Sequence, residues 1–164
     1  MDKNDIMLRP TFIYWVNKNF VLMGAIFAVF LIWNYFFQSY EYIKYFVMIL
    51  CLWLGGKITY SYVDILFCTS WLITEEQIKI YRGVFSKSIN YIELYRVYDY
   101  SEEQSFIQSL THNTTVIIFS GDRSTPKLVI AGIEANTEII NIIRKRVELQ
   151  KKSNLVYEVT NNKY

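Results

Sequence analysis

The chain has 164 residues and a mass of 19.6 kDa, which suits one ordinary domain or a small domain with a membrane anchor and excludes two full catalytic domains. Hydrophobic residues make up 52% and charged residues only 20%, against roughly 25% charged in a typical soluble domain, so the composition favours a membrane protein. The 18% aromatic content excludes intrinsic disorder, the two cysteines exclude a disulfide scaffold, and residues 64–110, with four basic and seven acidic side chains, exclude a nucleic-acid surface there despite the overall net charge of +2.

The first strong pattern is an uncharged apolar run over residues 20–37, which follows a short basic segment, residues 1–18. At 1.5 Å per residue this run reaches about 27 Å, close to the roughly 30 Å hydrocarbon thickness of a bilayer. It lacks the small-residue cleavage site of a signal peptide, and a wholly buried core helix needs partners on every side that the rest of the chain does not easily supply. We therefore predict a transmembrane helix over residues 20–37.

A second apolar stretch predicts another transmembrane helix, over about residues 43–62. Lys57 then lies close enough to the helix end for its ammonium group to reach the lipid headgroups by snorkelling. Aromatic side chains gather near the same level and near the start of the first helix, as they do at membrane interfaces. The predicted membrane-interface residues are Trp15, Lys57, Tyr60 and Tyr62.

The short connection between the two predicted helices makes them an antiparallel hairpin, with both chain termini on one side of the membrane. Lys3, Arg9 and Lys18 lie near the first helix. The turn on the opposite side offers only Lys44 against Glu41. By the positive-inside rule, we expect both termini and the rest of the chain to be cytoplasmic.

After residue 64 the hydrophobic period changes from helical to alternating, which predicts a meander of short antiparallel strands. The predicted strands cover residues 65–73, 77–82, 85–92, 96–100, 114–119 and 127–131. Between the fourth and fifth of them, Phe106, Ile107 and Leu110 are spaced for one helical turn or an irregular loop. Asn136 then caps a C-terminal helix. The apolar stripe of this helix consists of Ile139, Ile142, Ile143 and Val147.

Four segments in this part of the chain carry an ordered set of motifs. They are WLITEEQI at 71–78, YRGVFSK at 81–87, YIELYRVYD at 91–99 and FIQSL at 106–110. With the preceding hairpin, this order resembles the bacterial PH-like domains of the YdbS-like membrane class. The chain departs from that pattern at Glu93, where the family often has proline, and at residues 111–113, which replace a glycine-rich turn.

The resemblance implies an α+β fold, in which an N-terminal transmembrane helical hairpin precedes a PH-like antiparallel β half-barrel capped by a C-terminal α-helix. It also implies a multi-pass protein of the bacterial inner membrane. The expected divisions are a cytoplasmic N-terminal segment (1–18), the transmembrane hairpin (19–63), the PH-like domain (64–152) and a flexible tail (153–164).

The sequence lacks the motifs of phosphate-binding loops, nucleophile elbows and zinc-ligand pairs. The lone histidine, His112, is expected to be an exposed loop residue. Glu102 and Glu103 are adjacent, so in a strand their side chains point to opposite faces and do not form a catalytic pair. Two carboxylates in the turn at 74–77 disfavour a polyphosphate lipid headgroup there. We therefore expect no catalytic residue, no metal and no cofactor.

Fourteen tyrosines are the remaining unusual feature. Sheet packing together with a biased composition is one explanation of this number. The alternative is a docking or self-association surface at Tyr95 and Tyr98, because aromatic side chains are enriched at protein interfaces. Exposed charged residues at a hairpin tip add two further candidates. The predicted partner-binding residues are Tyr95, Tyr98, Asp122 and Arg123.

The sequence thus predicts a non-enzymatic, membrane-anchored PH-like module that acts as a scaffold or subunit of a bacterial inner-membrane protein assembly. Its expected partners are the lipid bilayer, other membrane or cytoplasmic proteins and a second copy of the chain in a homo-oligomer, but not nucleic acid. The alternative is a small oligomeric pore or transport accessory regulated by its PH-like domain, with Asn34 and Lys57 as its polar groups.

Overall fold

The computed structural model describes residues 4–36, 41–135 and 137–161. These ranges contain seven strands and four α-helices. The strands are β1 (Ile6–Leu8), β2 (Ser70–Ile73), β3 (Gln77–Arg82), β4 (Ser88–Glu93), β5 (Val97–Glu103), β6 (Asn113–Ser120) and β7 (Lys127–Glu134). The α-helices are α1 (Phe12–Phe36), α2 (Glu41–Val63), α3 (Phe106–Leu110) and α4 (Thr137–Asn161).

The strands form two antiparallel sheets. One sheet has the order β1-β2-β3-β4 and the other the order β5-β6-β7, and within the described ranges the two do not close into a barrel. The core lies between the sheets and α4, because alternate strand residues and one stripe of the helix turn inwards. Its fully buried side chains include Ile73, Ile78, Ile92, Leu94, Val97, Val116, Ile118, Leu128, Ile130, Ile133 and Ile143. The prediction of antiparallel strands followed by a C-terminal helix is confirmed.

The helical hairpin is inserted between two neighbouring strands of one sheet. Ile6 of β1 pairs with Ile73 of β2, and Leu8 pairs with Trp71. The chain therefore leaves the sheet after β1, forms α1 and α2, and returns as the strand next to β1. Strand β1 was not predicted, because its three residues are too few to show an alternation of buried and exposed positions. The predicted segment 1–18 thus contains a strand of the domain and the first turns of α1.

Arg146 of α4 forms hydrogen bonds to the backbone on both sides of the inserted hairpin. We call these two segments, before β1 and at the end of β2, the flanks of the insertion. The Arg146 guanidinium donates to the carbonyl oxygens of Ile73 (2.8 Å), the last residue of β2, and of Thr74 (2.9 Å), the next residue. It also donates to the carbonyl oxygen of Asn4, which precedes β1. These are charge-assisted hydrogen bonds at the ends of two strands, where backbone carbonyls leave the ladder. The C-terminal helix is thereby fixed across the ends of β1 and β2.

Helix α1 begins at Phe12, whereas the sequence predicts residue 20. Thr11 explains the earlier start, because its hydroxyl accepts a hydrogen bond from the backbone N–H of Tyr14 (3.2 Å) and so caps the first turn. Helix α2 covers Glu41–Val63, close to the predicted 43–62. Trp15 of α1 packs edge-on against Tyr62 of α2, with ring centroids 5.2 Å apart, so the two helices are antiparallel as predicted.

Both helices are long and apolar enough to cross a membrane, over Phe12–Trp33 and Tyr45–Cys68. Only 11% of the most apolar window of the first span is buried, and none of the corresponding window of the second. A core helix of a soluble protein buries most of its surface, so the described part of the chain does not supply the partners that such a core helix requires.

The predicted first strand, residues 65–73, is wrong in its first half. Helix α2 runs on into a π-helical turn, Asp64–Cys68, and only Ser70–Ile73 are extended. The Thr69 hydroxyl donates to the Asp64 carbonyl oxygen (2.9 Å) and closes this turn. Ile65, the second residue of the turn, is buried. A short apolar run does not distinguish a strand from a buried helical turn, which is why the prediction failed here.

Smaller differences concern element ends. Strand β4 begins at Ser88 instead of 85, which leaves residues 83–87 as a loop. The apolar turn containing Phe106 is helical and begins with a capping box formed by Ser105 and Gln108. Helix α4 extends to Asn161 where a flexible tail was predicted from 153, and the predicted cap Asn136 lies outside the described residues.

Candidate functional site

Four residues join the hairpin to the PH-like domain, and we call them the hairpin joint: Thr11, Tyr14, Asn113 and Gly132. The Thr11 backbone N–H donates to the Gly132 carbonyl oxygen of β7 (2.8 Å). The Thr11 hydroxyl donates to Oδ1 of Asn113 in β6 (2.7 Å), and Asn113 is 1% exposed. The start of α1 is therefore bonded to two strands of the second sheet, in addition to its covalent link to β1.

Close approach of α1 to β7 requires a glycine in this joint. Gly132 has a φ of +71°, in the left-handed region that favours glycine. A Cβ atom at this position would overlap the ring of Tyr14. The backbone of β7 therefore lies directly against an aromatic ring of the first helical turn, which fixes the direction in which the hairpin leaves the domain.

The predicted membrane-interface residues lie at the domain end of the hairpin, but in different surroundings. Trp15 is only 8% exposed and packs against Tyr62, whose ring also meets Phe67 edge-on at 5.8 Å. Asn19 strengthens this contact by donating to the Ser61 hydroxyl (3.2 Å). Trp15, predicted as a membrane-interface residue, therefore packs between the two helices.

Lys57 and Tyr60 lie on the outer surface of α2. The Lys57 ammonium is 3.9 Å from the ring centroid of Trp53, one helical turn earlier, in a cation–π contact. Tyr60 is 50% exposed and its ring stacks on Phe85 from the loop between β3 and β4. The side chain of Asn34, the other polar group predicted for a pore, lies outside the described part of the chain.

Tyr95 and Asp122, two of the predicted partner-binding residues, are brought together by Arg96. The Arg96 Nε donates to the Tyr95 hydroxyl (3.0 Å), and its Nη1 lies 3.8 Å from Oδ1 of Asp122. The hydrogen bond to Tyr95 and the charge of Asp122 raise the pKa of Arg96 above its usual value. Its side chain is nevertheless 44% exposed and accessible to a partner.

Tyr98 lies in the adjacent strand, at an irregularity in the pairing of β5 with β6. It is 66% exposed, and its ring centroid is 6.4 Å from that of Phe119. Lys127 covers the same Phe119 ring at 5.7 Å. We call Tyr95, Arg96, Tyr98, Phe119 and Asp122 the Tyr95 surface.

The loops of the Tyr95 surface are fixed by backbone bonds. The Gly121 N–H donates to the Arg96 carbonyl oxygen (3.0 Å), and the Asp122 carboxylate accepts from the N–H of Ser124 (3.2 Å). Arg123, the fourth predicted partner-binding residue, is exposed in this loop. Among the described side chains, Arg123 makes no contact with Tyr95 or Tyr98, and only its position in the same loop as Asp122 places it near them.

Arg96, Phe119 and Phe85 were not predicted as residues of a binding surface. Arg96 and Asp122 are far apart in sequence, and only the pairing of β5 with β6 brings them together. Phe119 was read as part of an ordinary strand. Phe85 had a visible signal, because it follows a glycine turn and is an aromatic residue at a loop position, where polar residues are usual.

The candidate catalytic features also have ordinary structural positions. His112 is exposed, with a φ of 52°, in the turn before β6. Glu102 accepts a hydrogen bond from the Thr114 hydroxyl (2.7 Å) near the end of β5, which is a strand contact. Among the described residues, no group of three or more histidine, cysteine, aspartate or glutamate side chains is arranged to hold a metal ion.

A comparison with family sequence profiles identifies residues 11–147 as a Bacterial PH domain. The matched region includes both apolar helices, β2 to β7 and most of the packed part of α4. It does not distinguish the YdbS-like membrane class within this family. No curated protein and no solved structure gives a significant match to the chain. Because the match covers most of the sequence, the chain belongs to the Bacterial PH domain family.

Proposed function

We propose that the protein is a non-catalytic module of the bacterial inner membrane, in which the apolar hairpin anchors a PH-like domain that binds a protein partner. The hairpin joint carries this proposal. The hairpin leaves and re-enters one sheet between paired strands, and Thr11 is bonded to β6 and β7. An anchor attached in this way fixes the orientation of the domain, whereas a flexible linker leaves it free to turn. Fixed orientation suits a domain that presents one surface to a partner.

The proposed anchoring is supported by the exposed apolar surface of both helices. Basic residues near the start of α1 favour a cytoplasmic domain with both termini on that side. On the outer surface of α2, the Lys57 ammonium lies over the Trp53 ring in a cation–π contact, which gives this charge a partner on an otherwise apolar helix.

The Tyr95 surface is the proposed protein-binding region. Tyrosine and arginine are enriched among the side chains that contribute most to protein association, because both bury area and keep a hydrogen-bond donor. Arg96 is held in place by Tyr95 and Asp122, so less conformational entropy is lost when a partner binds it. A partner that offers a carboxylate or carbonyl oxygen beside an apolar side chain fits this arrangement, and the partner is either another protein or a second copy of the chain.

Photo-crosslinking in native membranes tests both parts of the proposal. Tyr98 is replaced by benzoylphenylalanine, and the matched control carries the same group at Tyr91, which is 50% exposed on β4 of the other sheet. Membranes are first washed with alkaline carbonate, which releases peripheral proteins. We expect the chain to stay in the pellet and position 98, but not 91, to form an adduct of one mass that mass spectrometry identifies.

The adduct at 98 should disappear with Arg96→Gln, because this substitution removes the charge and leaves most of the stem. Release of the chain by carbonate would overturn the anchoring. Equal adducts at 98 and 91, or an adduct at 98 that survives Arg96→Gln, would overturn the assignment of the Tyr95 surface.

A further inference from the structure

The loop between β3 and β4, residues 83–87, presents an apolar side chain to the outside. Phe85 at its tip is 92% exposed, the highest value among the large hydrophobic residues described. Gly83 has a φ of +105°, and a Cβ atom there would overlap the Ser86 carbonyl oxygen. The tight turn therefore depends on glycine, and it holds Phe85 away from its own sheet. A single exposed phenylalanine is ordinary on a protein surface. Phe85 is notable because of the surface that it lies against.

The loop lies against α2. The rings of Phe85 and Tyr60 are stacked, with centroids 6.2 Å apart and an interplanar angle of 17°. Tyr60 precedes Cys68, the last residue of the second apolar span, by eight residues, which corresponds to about 12 Å along a helix. The tip of a loop from the sheet thus reaches back along the apolar helix to the level of an aromatic residue predicted for the membrane interface.

The surroundings of the loop are apolar and cationic. Met7, Phe67 and Ile89 are 41%, 70% and 46% exposed. Together with Arg82 and Lys87 they line an open cavity of about 330 Å³ at the base of α2. The described side chains that line it include two cations and no carboxylate. This combination resembles the boundary between acyl chains and phosphate groups, where apolar side chains enter the bilayer and arginine and lysine bind phosphates.

We propose that the loop at 83–87 is a second membrane contact of the domain. Phe85 enters the interfacial layer beside Tyr60, and Arg82 and Lys87 bind the phosphates of anionic phospholipids. The inference rests on the proposed membrane anchoring and adds to it a specific lipid surface that comes from the sheet. Its location differs from the acidic turn at 74–77, which lies at the opposite end of β3.

The lipid surface is favoured over a protein partner for two reasons. Phe85 is stacked on a helix whose most apolar window has no buried residue, so it continues the exposed apolar surface of α2. The charged side chains that line the cavity beside the loop, Arg82 and Lys87, are also of one sign, which matches an anionic bilayer. By contrast, the Tyr95 surface pairs Arg96 with Asp122.

Spin-label accessibility in vesicles tests the proposal. The full chain, with Cys51→Ala and Cys68→Ala, carries one label after Phe85→Cys or, as a control, after Ser124→Cys in the exposed loop between β6 and β7. The vesicles contain phosphatidylcholine with or without phosphatidylglycerol, and flotation establishes that they carry the protein. We expect the label at 85 to be relaxed more by oxygen than by a water-soluble nickel chelate, and the label at 124 to show the reverse.

Phosphatidylglycerol should shift the label at 85 further towards oxygen, and the double substitution Arg82→Gln and Lys87→Gln should abolish that shift. If the chain floats but the label at 85 behaves like the label at 124, the loop proposal fails while the anchoring stands. Shielding of the label from both reagents indicates a protein contact and likewise overturns the proposal. If the chain does not float, the anchoring fails and this inference fails with it.

Discussion

The hairpin joint and the Tyr95 surface use similar residue types in opposite ways. At the joint, Tyr14 and Thr11 are packed or bonded against β6 and β7, and Asn113 is fully buried. At the Tyr95 surface, Tyr98 and Arg96 remain largely exposed although their loops are held by backbone bonds. The polar groups of the hairpin joint stabilise the fold, whereas the side chains of Tyr98 and Arg96 remain accessible to a partner. Position in the fold, and not residue type, separates the structural tyrosine from the candidate binding tyrosine.

The two regions should therefore respond differently to substitution. Substitutions at the joint and along the flanks of the insertion should lower the free energy of unfolding. Substitutions on the Tyr95 surface should leave it nearly unchanged and affect only partner binding. All stability measurements below use the full chain in mild detergent, with the unfolding midpoint followed by tryptophan fluorescence.

The largest effect is expected for Gly132→Ala. The new Cβ atom overlaps the Tyr14 ring, and alanine is strained at a φ of +71°. Left-handed strain costs about 1 to 2 kcal/mol and overpacking about 1 to 3 kcal/mol, so we expect a loss of about 2 to 5 kcal/mol. Gly121→Ala is the matched control, because the nearest atom to its Cβ is 3.9 Å away. Equal midpoints for the two variants would mean that the joint does not hold α1 against β7.

The next effect is expected for Arg146→Met, which keeps an aliphatic stem and removes the bonds to the carbonyls of Ile73, Thr74 and Asn4. Hydrogen bonds to charged groups contribute about 1.5 to 3 kcal/mol each. Water can bond to the exposed carbonyl oxygens in the variant, so we expect the free energy of unfolding to fall by about 2 to 3 kcal/mol in total. The flanks of the insertion should then exchange amide hydrogens faster.

Arg144→Met is the control for this variant. Arg144 lies two residues earlier on α4 and forms an exposed pair with Glu148 (3.3 Å), with side chains 63% and 59% exposed. Exposed pairs of this kind contribute about 0 to 1 kcal/mol. A loss for Arg144→Met as large as that for Arg146→Met would show that charge on α4 matters more than the bonds to β1 and β2.

The sequence predicts those parts of the structure that have a long, repeated pattern. The two apolar helices and β3, predicted and observed at residues 77–82, are of this kind. The alternation of buried Ile78 and Ile80 with more exposed neighbours is readable without any tertiary information. The resemblance to the bacterial PH-like domains is confirmed by the family match, whereas the YdbS-like class stays a prediction.

The parts that the sequence does not predict depend on contacts between distant residues. Strand β1 exists only because β2 lies beside it, and its three residues follow no period. The π-helical turn at Asp64–Cys68 competes with an equally apolar strand pattern, and tertiary packing of Ile65 decides between them. The stack of Phe85 on Tyr60 and the pair of Arg96 with Asp122 likewise appear only after the sheets have formed.

The smallest effect on stability is expected for Tyr98→Ser. Tyr98 is 66% exposed and its one described ring contact, with Phe119 at 6.4 Å, lies near the outer limit for aromatic pairs. We expect the free energy of unfolding to change by about 0.5 kcal/mol or less, as for most exposed positions. Tyr100→Ser is the control in the same strand, because Tyr100 is half-buried against the hydrophobic core and should cost about 1 to 3 kcal/mol. A destabilisation by Tyr98→Ser equal to that of Tyr100→Ser would place Tyr98 in the fold and remove the reason to regard the Tyr95 surface as free for a partner.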